Sequence, residues 1–311
     1  MTLIELVEAS AQQLTDAEVS FGHGTANAFD EAAWLVLWRL GLPLDTSLES
    51  LEDNPDSKAN TPVAPAECAE VATLLEARIT SRKPAAYLTR EAWLQGMAFY
   101  VDERAIVPRS LIAELLVDGG LDYWLHENTT KMLDLCTGNG SLAVIAAMVY
   151  PEVVVTGSDL SADALEVAAI NVKKYALQDR VALVESDGFT STGLQQRGPF
   201  DLILCNPPYV NAQSMSELPP EYRAEPALAL AGGTDGMDFI RSLFADAPGH
   251  MADDAVLVLE IGNERVHFEA AFPELDVVWL ETSAGEDHVL LVTQETLLAQ
   301  LALGTPGRVG A

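Results

Sequence analysis

The sequence predicts an α/β fold: a mostly parallel sheet preceded by a helical segment and a hairpin. Two observations carry this. From about residue 131, short apolar runs alternate with amphipathic stretches in a β-α-β-α rhythm, as expected when helices cover both faces of a parallel sheet. Residues 1 to about 85 read instead as helices joined by a polar loop.

The elements follow in order. "MTLIELVEASAQQL" reads as an amphipathic helix. "NAFDEAAWLVLWRLGLP" is a second, with Asn27 as N-cap, Asp30 in the first turn, a broad apolar face from Trp34 to Leu40, and Gly41 and Pro43 as its stop. Residues 45–66 are polar and broken by prolines, hence a loop, and a third helix is expected over about 66–82. Residues 86–107 are rich in aromatic and β-branched residues around a glycine, which predicts hairpin strands. Pro108 is expected to open the helix "RSLIAELLVDGG". The domain boundaries so read are 1–85, 86–108 and 109–311.

Within the last part, "KMLDLC", "EVVVTGSDL", "RVALVES", "FDLILC", "AVLVLEIG", "LDVVWLE" and "HVLLVT" read as strands. "SLAVIAAMV" and "SADALEVAAINVKKYAL" read as helices, the latter capped by Ser161 and carrying Lys173 and Lys174 near its end. Further helices are expected near 236–249 and 264–271. Ligands of such sheets bind beyond the carboxyl ends of the strands.

The chain has 311 residues, 49% of them hydrophobic, enough for one large domain or two smaller ones with proper cores. No apolar run reaches the ~18 residues of a membrane span. The N-terminus has no basic region and carries Glu5 and Glu8, unlike a signal peptide. Cys68, Cys136 and Cys205 have no paired spacing, so neither a disulfide framework nor a metal site is expected, and a cytoplasmic setting is. The formal charge of −30 repels nucleic-acid phosphates and attracts basic partners within the range that salt allows. The same charge also serves solubility.

Three strand ends carry candidate binding groups. "DLCTGNG" (134–140) follows the first strand of the sheet and opens a helix, and Gly138 and Gly140 permit a tight turn with close approach of a ligand. Ala143 stands where a dinucleotide fingerprint has its third glycine or alanine, so the turn alone does not exclude NAD. Asp159 ends the next strand and can accept bonds from ribose hydroxyls, or else serve the helix that follows. Asp187 in "ESDGF" ends the third and can accept from an adenine amino group, or be a solvated loop carboxylate.

The fourth strand ends in "CNPPYV" (205–210). Prolines after a strand can simply stop it, with Asn206 capping the turn. The order of the preceding signals favours a chemical reason. An amide or adenine amino nitrogen has a delocalised lone pair, so a methyl donor reacts with it only if the NH2 hydrogens are held aside. The Asn206 side-chain carbonyl and the Pro207 backbone carbonyl can hold them. Pro207 and Pro208 stiffen the turn, and Tyr209 can stack on the planar acceptor. This is catalysis by positioning, with reacting atoms about 3–3.5 Å apart.

"DLCTGNG", "GSDLS", "SDGF" and "CNPPYV" together resemble the class I S-adenosylmethionine-dependent methyltransferases of the protein glutamine N5 family, and the resemblance covers nearly the whole chain. "FGHGTANAFDEAAWLVL" and "FYVDERAIVPRSLIAELL" look like the branch acting on ribosomal protein L-three. Release-factor methyltransferases usually carry an acidic Pro-Arg-Pro-(Asp/Glu)-Thr-Glu stretch where this chain reads "PRSLIAE". The resemblance implies a seven-stranded, Rossmann-like sheet with a reversed hairpin at its end, and an N-terminal helical part that helps select a basic ribosomal protein, free or within an assembling large subunit. It implies that Thr137, Gly138, Asn139 and Gly140 line the methionine end of S-adenosylmethionine. Asp159 and Leu160 would lie at the ribose, and Asp187, Gly188 and Phe189 would border the adenine. Asn206, Pro207, Pro208 and Tyr209 would hold the glutamine, with Asn206 also facing the cofactor. Phe99 and Arg109 would close over the site.

Two other readings compete. DNA adenine methyltransferases use a similar turn but must hold phosphates, and this chain has 17 basic residues against 47 acidic ones. A ribosome assembly factor that only binds would not need the turn intact. His23 in "FGHGT" lacks a visible catalytic partner and is read as bonded within the helical part. "GTDGMDF" follows the substrate turn as a lid or an ordinary connector.

Overall fold

The computed structural model describes residues 1–49 and 54–304; part of the loop expected over 45–66, residues 50–53, lies outside them. The chain divides into two compact units. The first holds Met1–Ala92 with two later pieces, Val101–Glu103 and Leu218–Glu225. The second holds the rest of the described chain, including the sheet.

In the first unit, α1 (Leu3–Asp16) opens on a capping box: Thr2 N donates to Glu5 Oε2 at 2.7 Å, and Glu5 N donates to Thr2 Oγ1. α2 (Ala28–Arg39) is capped by Asn27, whose side chain accepts from Asp30 N at 2.9 Å, as expected. α3 (Pro65–Ser81) starts on a proline and ends where Arg82 turns left-handed at φ +57°. Leu6, Val7, Leu14, Leu35, Leu37, Val71 and Leu75 form the apolar interior. Among them Arg78 is fully buried. Its Nε donates to Glu31 Oε1 at 2.8 Å, its Nη2 to Ser20 O at 3.1 Å, and its Nη1 lies 3.6 Å from Glu221 Oε1. Arg82 Nη1 donates to the same Glu221 oxygen at 3.2 Å. His23, 1% exposed, has Nε2 3.3 Å from Glu225 Oε2, with its ring 4.2 Å from that of Tyr222.

The region expected as hairpin strands is partly helical. Pro84 precedes α4 (Ala85–Thr89), which takes up residues read as strand. The hairpin is short: β1 (Ala92–Leu94) and β2 (Met97–Phe99), joined by Gln95 and Gly96 at φ +48° and +71°. Two consecutive left-handed residues make the turn whose twist suits a tight hairpin. The helix expected from Pro108 begins instead at Ile112, as α5 (Ile112–Val117). A buried carboxylate holds this start: Glu260 Oε2 accepts from Ser110 Oγ at 2.5 Å and from Leu111 N at 2.9 Å, an N–H that a helix start leaves without an intrahelical partner.

The sheet of the second unit has seven strands: β3 (Lys131–Leu135), β4 (Val154–Asp159), β5 (Val181–Glu185), β6 (Phe200–Cys205), β7 (Met251–Glu260), β8 (Val278–Thr282) and β9 (Gly285–Thr293). Their order is β5-β4-β3-β6-β7-β9-β8. The first five run parallel, and β9 is antiparallel to both β7 and β8, the reversed hairpin expected from the sequence. This is the class I methyltransferase fold. Alternate residues serve opposite faces: Met132, Leu202, Leu204, Val256 and Val258 pack on one side with α6 (Ser141–Val149), and Leu133, Ile203, Leu257 and Leu259 on the other with the helix Asp238–Asp246. α7 (Ala162–Lys174) is capped by Ser161, as expected. The short helices Ala212–Glu217 and Pro220–Arg223 and the helix Gln294–Gly304 have no counterpart in the sequence reading. No helix among the described residues is long and apolar enough to cross a membrane.

Arg78→Leu leaves the buried Glu31 without its cation and weakens the hold on Glu221. We expect a loss of roughly 3–5 kcal/mol in unfolding free energy by urea titration.

Candidate active site at the carboxyl ends of the parallel strands

Because β3, β4, β5 and β6 are neighbours and parallel, the segments that follow them emerge along one edge of the sheet. After Leu135 the chain turns sharply through Cys136, Gly138 and Gly140, at φ +62°, +54° and +78°. Thr137 N donates to Ser158 O at 2.9 Å, and Gly140 N to Thr137 O at 2.8 Å. Gly138 N donates to Asp159 Oδ2 at 2.8 Å, while Asp159 Oδ1 accepts from Ser161 N at 2.9 Å. Asp159 thus clamps the first turn to the second. Burial raises its pKa, and the N–H groups it accepts from oppose the rise.

The two glycines act differently. A Cβ at Gly140 would lie 2.9 Å from Ala168 Cβ, so this glycine lets α7 pack against the turn. At Gly138 a Cβ would meet only Ile106 Cγ2, at 3.5 Å, so the requirement there is the left-handed backbone. Asn171, fully buried on α7, secures the same turn by donating to Asn139 O and Tyr100 O at 2.9 Å each.

Asp134, at the start of "DLCTGNG", sits under the turn at 1% exposure. Its Oδ2 accepts from Thr137 Oγ1 at 2.5 Å and Ala143 N at 3.0 Å. Burial pushes its pKa up to about 7. Three buried polar atoms here lack a hydrogen-bond partner: Asp134 Oδ1, Asn139 Nδ2 and Ser158 Oγ. Unpaired buried groups are costly, and a cradle with both acceptors and a donor to spare fits a polar ligand. Beside it, Asp187 is exposed and Gly188, at φ +53°, has open space where a side chain would stand.

The Phe189 ring is 4% exposed and stacks on His250, with centroids 4.5 Å apart and planes 3° apart. Phe99 is fully buried, its ring 5.7 Å from that of Tyr175. Arg109 Nη1 donates to Val107 O at 3.1 Å. Leu160 is 49% exposed. Cys136 and Cys205, distant in sequence, are neighbouring free thiols, and burial together with the Cys136 contact raises the Cys205 pKa.

At the end of β6, Asn206, Pro208 and Tyr209 are half-buried and Pro207 is buried. The turn they form is pinned from behind: Val210 N donates to Leu230 O at 2.8 Å, and Gly232 N donates to Val210 O at 2.9 Å. Gly232 and Gly236, of the segment read as lid or connector, abut Tyr209; a Cβ on either would fall 2.7 Å from its Cα or 2.2 Å from its carbonyl oxygen, respectively. Asn211 Nδ2 donates to Glu264 Oε1 at 2.7 Å. No local pattern announces that contact, which joins residues 53 positions apart.

Residues 117–218 match the family model of the methyltransferase small domain. The chain is 51% identical over 298 residues to the ribosomal protein uL3 glutamine methyltransferase of Bordetella pertussis, covering 95% of this chain and 96% of that one. It is 50% identical to the protein of that name from Burkholderia pseudomallei and 42% identical to that of Bradyrhizobium diazoefficiens, each over 96% of this chain and 96% and 92% of the relative. The chain belongs to the uL3 glutamine methyltransferase family. Among solved structures, the catalytic domain of hMettl16, in complex with an MAT2A 3′UTR hairpin, aligns at TM-score 0.51 and 12% identity, covering 74% of this chain and 81% of that one. That likeness concerns the fold alone. In this methyltransferase the Gly138 turn and the Asn206 turn follow the paired parallel strands β3 and β6.

Asp134 supplies a pH test. Folded, its carboxyl keeps a proton up to about pH 7, against an ordinary value of 3.8. Its contribution to stability is therefore full below the ordinary value and is lost as pH rises through the folded one. Between about pH 5 and about pH 8, wild type should lose roughly 2–3 kcal/mol relative to Asp134→Asn in urea unfolding.

Proposed function

We propose that this chain transfers a methyl group from S-adenosylmethionine to the side-chain amide nitrogen (N5) of a glutamine in ribosomal protein uL3. The observation that carries this reading is the rigid Asn206–Tyr209 turn standing beside the Gly138 turn at adjacent parallel strand ends. The cofactor supplies a methyl carbon bound to a positively charged sulfur. Thr137, Gly138, Asn139 and Gly140 would hold its methionine end, where buried polar atoms await partners. Asp159 accepts backbone N–H groups from Gly138 and Ser161, and its carboxylate would accept a ribose hydroxyl as well. Asp187 would take the adenine amino group.

The protein's task is to orient the acceptor. The Asn206 side-chain carbonyl and the Pro207 carbonyl each accept one hydrogen of the glutamine NH2. This fixes the amide plane and turns the face of its nitrogen toward the methyl carbon. Tyr209 stacks on that plane. The nitrogen becomes acidic only once alkylated, so its proton passes to water and no strong base is needed. Placement supplies the rate.

The charge of −30 suits a basic acceptor protein, met in the cytoplasm either free or in an assembling large subunit. The excess of acidic over basic residues disfavours a nucleic-acid acceptor, which needs cationic contacts to phosphate.

Asn206→Ala should retain cofactor affinity, read by calorimetry, and lose roughly 100-fold or more in turnover on uL3. The amide hydrogen left unpaired costs an estimated ~1–3 kcal/mol, and misplacement of the nitrogen accounts for the rest. Undiminished turnover would defeat the reading. In cells lacking the gene, mass spectrometry should find uL3 lighter by one methyl-for-hydrogen exchange.

A further inference from the structure

The ring of Tyr209 has a second support, which sequence motifs do not reveal. β7 ends at Glu260 and the chain turns through Ile261–Glu264 before the helix Arg265–Ala271. Ile261 N donates to His288 O at 2.9 Å, and Glu264 N donates to Ile261 O at 3.1 Å, so the turn is anchored to β9. Gly262 stands at its apex in the left-handed region, at φ +52°. A Cβ there would lie 2.6 Å from Tyr209 Cε2, 3.0 Å from Cζ and 3.2 Å from Oη. The ring therefore rests on a surface that only a hydrogen can provide. Two residues beyond each partner the same segments are tied again, where Asn211 Nδ2 donates to Glu264 Oε1 at 2.7 Å with both residues under 10% exposed.

We propose that Gly262 is a positioning residue for methyl transfer: the Ile261–Glu264 turn sets the plane of the Tyr209 ring, and thereby the plane of the acceptor amide stacked on it. The proposal rests on the glutamine methyltransferase reading and deepens it. Asp159 and the Gly138 turn place the cofactor; Asn206 and Pro207 fix the acceptor hydrogens; Gly262 and the Asn211–Glu264 bond fix the ring. A side chain at 262 forces the phenol outward or the turn back. Either movement tilts the amide away from alignment without touching cofactor or substrate directly.

The test pairs two substitutions in two backgrounds. Gly262→Ala and Gly262→Asn are each made in wild type and in Tyr209→Ala. Asparagine tolerates the left-handed backbone better than alanine does, so it separates loss of room from backbone strain. In wild type both should lower kcat by about 10- to 100-fold with cofactor affinity unchanged. In the Tyr209→Ala background neither should lower the remaining activity by more than about 2-fold, because the ring they displace is gone. If Gly262→Ala folds only in that background, the same coupling is shown.

The idea fails if Gly262→Asn has wild-type kcat, or if both substitutions cost the same factor in either background. A crystal structure of Gly262→Asn reads the ring directly: a displaced ring supports the proposal, and an unmoved ring and turn overturn it. Should wild type leave uL3 unmethylated, the proposed function falls, while the ring position still decides this inference.

Discussion

Leu135 of β3 and Cys205 of β6 pair in parallel register, and immediately beyond them both strands leave the sheet. Every other feature of the site depends on that pairing. It puts the Gly138 turn and the Asn206 turn side by side, carried on strands whose side chains are almost wholly buried on both faces. The close packing of such an interior makes it a stiff platform. A reaction that needs alignment more than acid or base strength is well served by one.

The same logic recurs at smaller scale. Asp159 clamps one turn to the next through Gly138 N, and Asn171 ties α7 to Asn139. Gly140 allows α7 to approach, and Gly232 and Gly236 on one segment and Gly262 on another allow both to press on Tyr209. In each case a polar clamp or a missing side chain fixes a backbone position. Polar atoms left unpaired at Asp134, Asn139 and Ser158 are then a localised cost, set where a ligand can relieve it.

Much of this was legible in the sequence, for physical reasons. Buried parallel strands are continuous apolar runs, so β3 to β7 stood out, and Asn27 and Ser161 announced their helices because caps are chosen for one hydrogen bond. "CNPPYV" was readable because prolines after a core strand demand a reason. What failed was non-local. The α5 start is held by Glu260, 149 positions from Leu111. Tyr87 and Thr89 carry strand-like side chains but lie in a helix that Pro84 introduces. Leu218–Glu225 belongs with the N-terminal unit, which no local pattern could disclose. Gly262 looked like any glycine after a strand, and the ring contacts of Phe99 with Tyr175 and of Phe189 with His250 join residues far apart in the chain.

The Asn206–Tyr209 turn, as proposed, holds a glutamine amide by its two hydrogens. A crystal structure with S-adenosylhomocysteine and a glutamine-bearing uL3 peptide tests it most directly. Asn206 Oδ1 and Pro207 O should each lie about 3 Å from the glutamine Nε2, with the Tyr209 ring parallel to the amide. An amide bonded elsewhere, with the turn facing solvent, would contradict it.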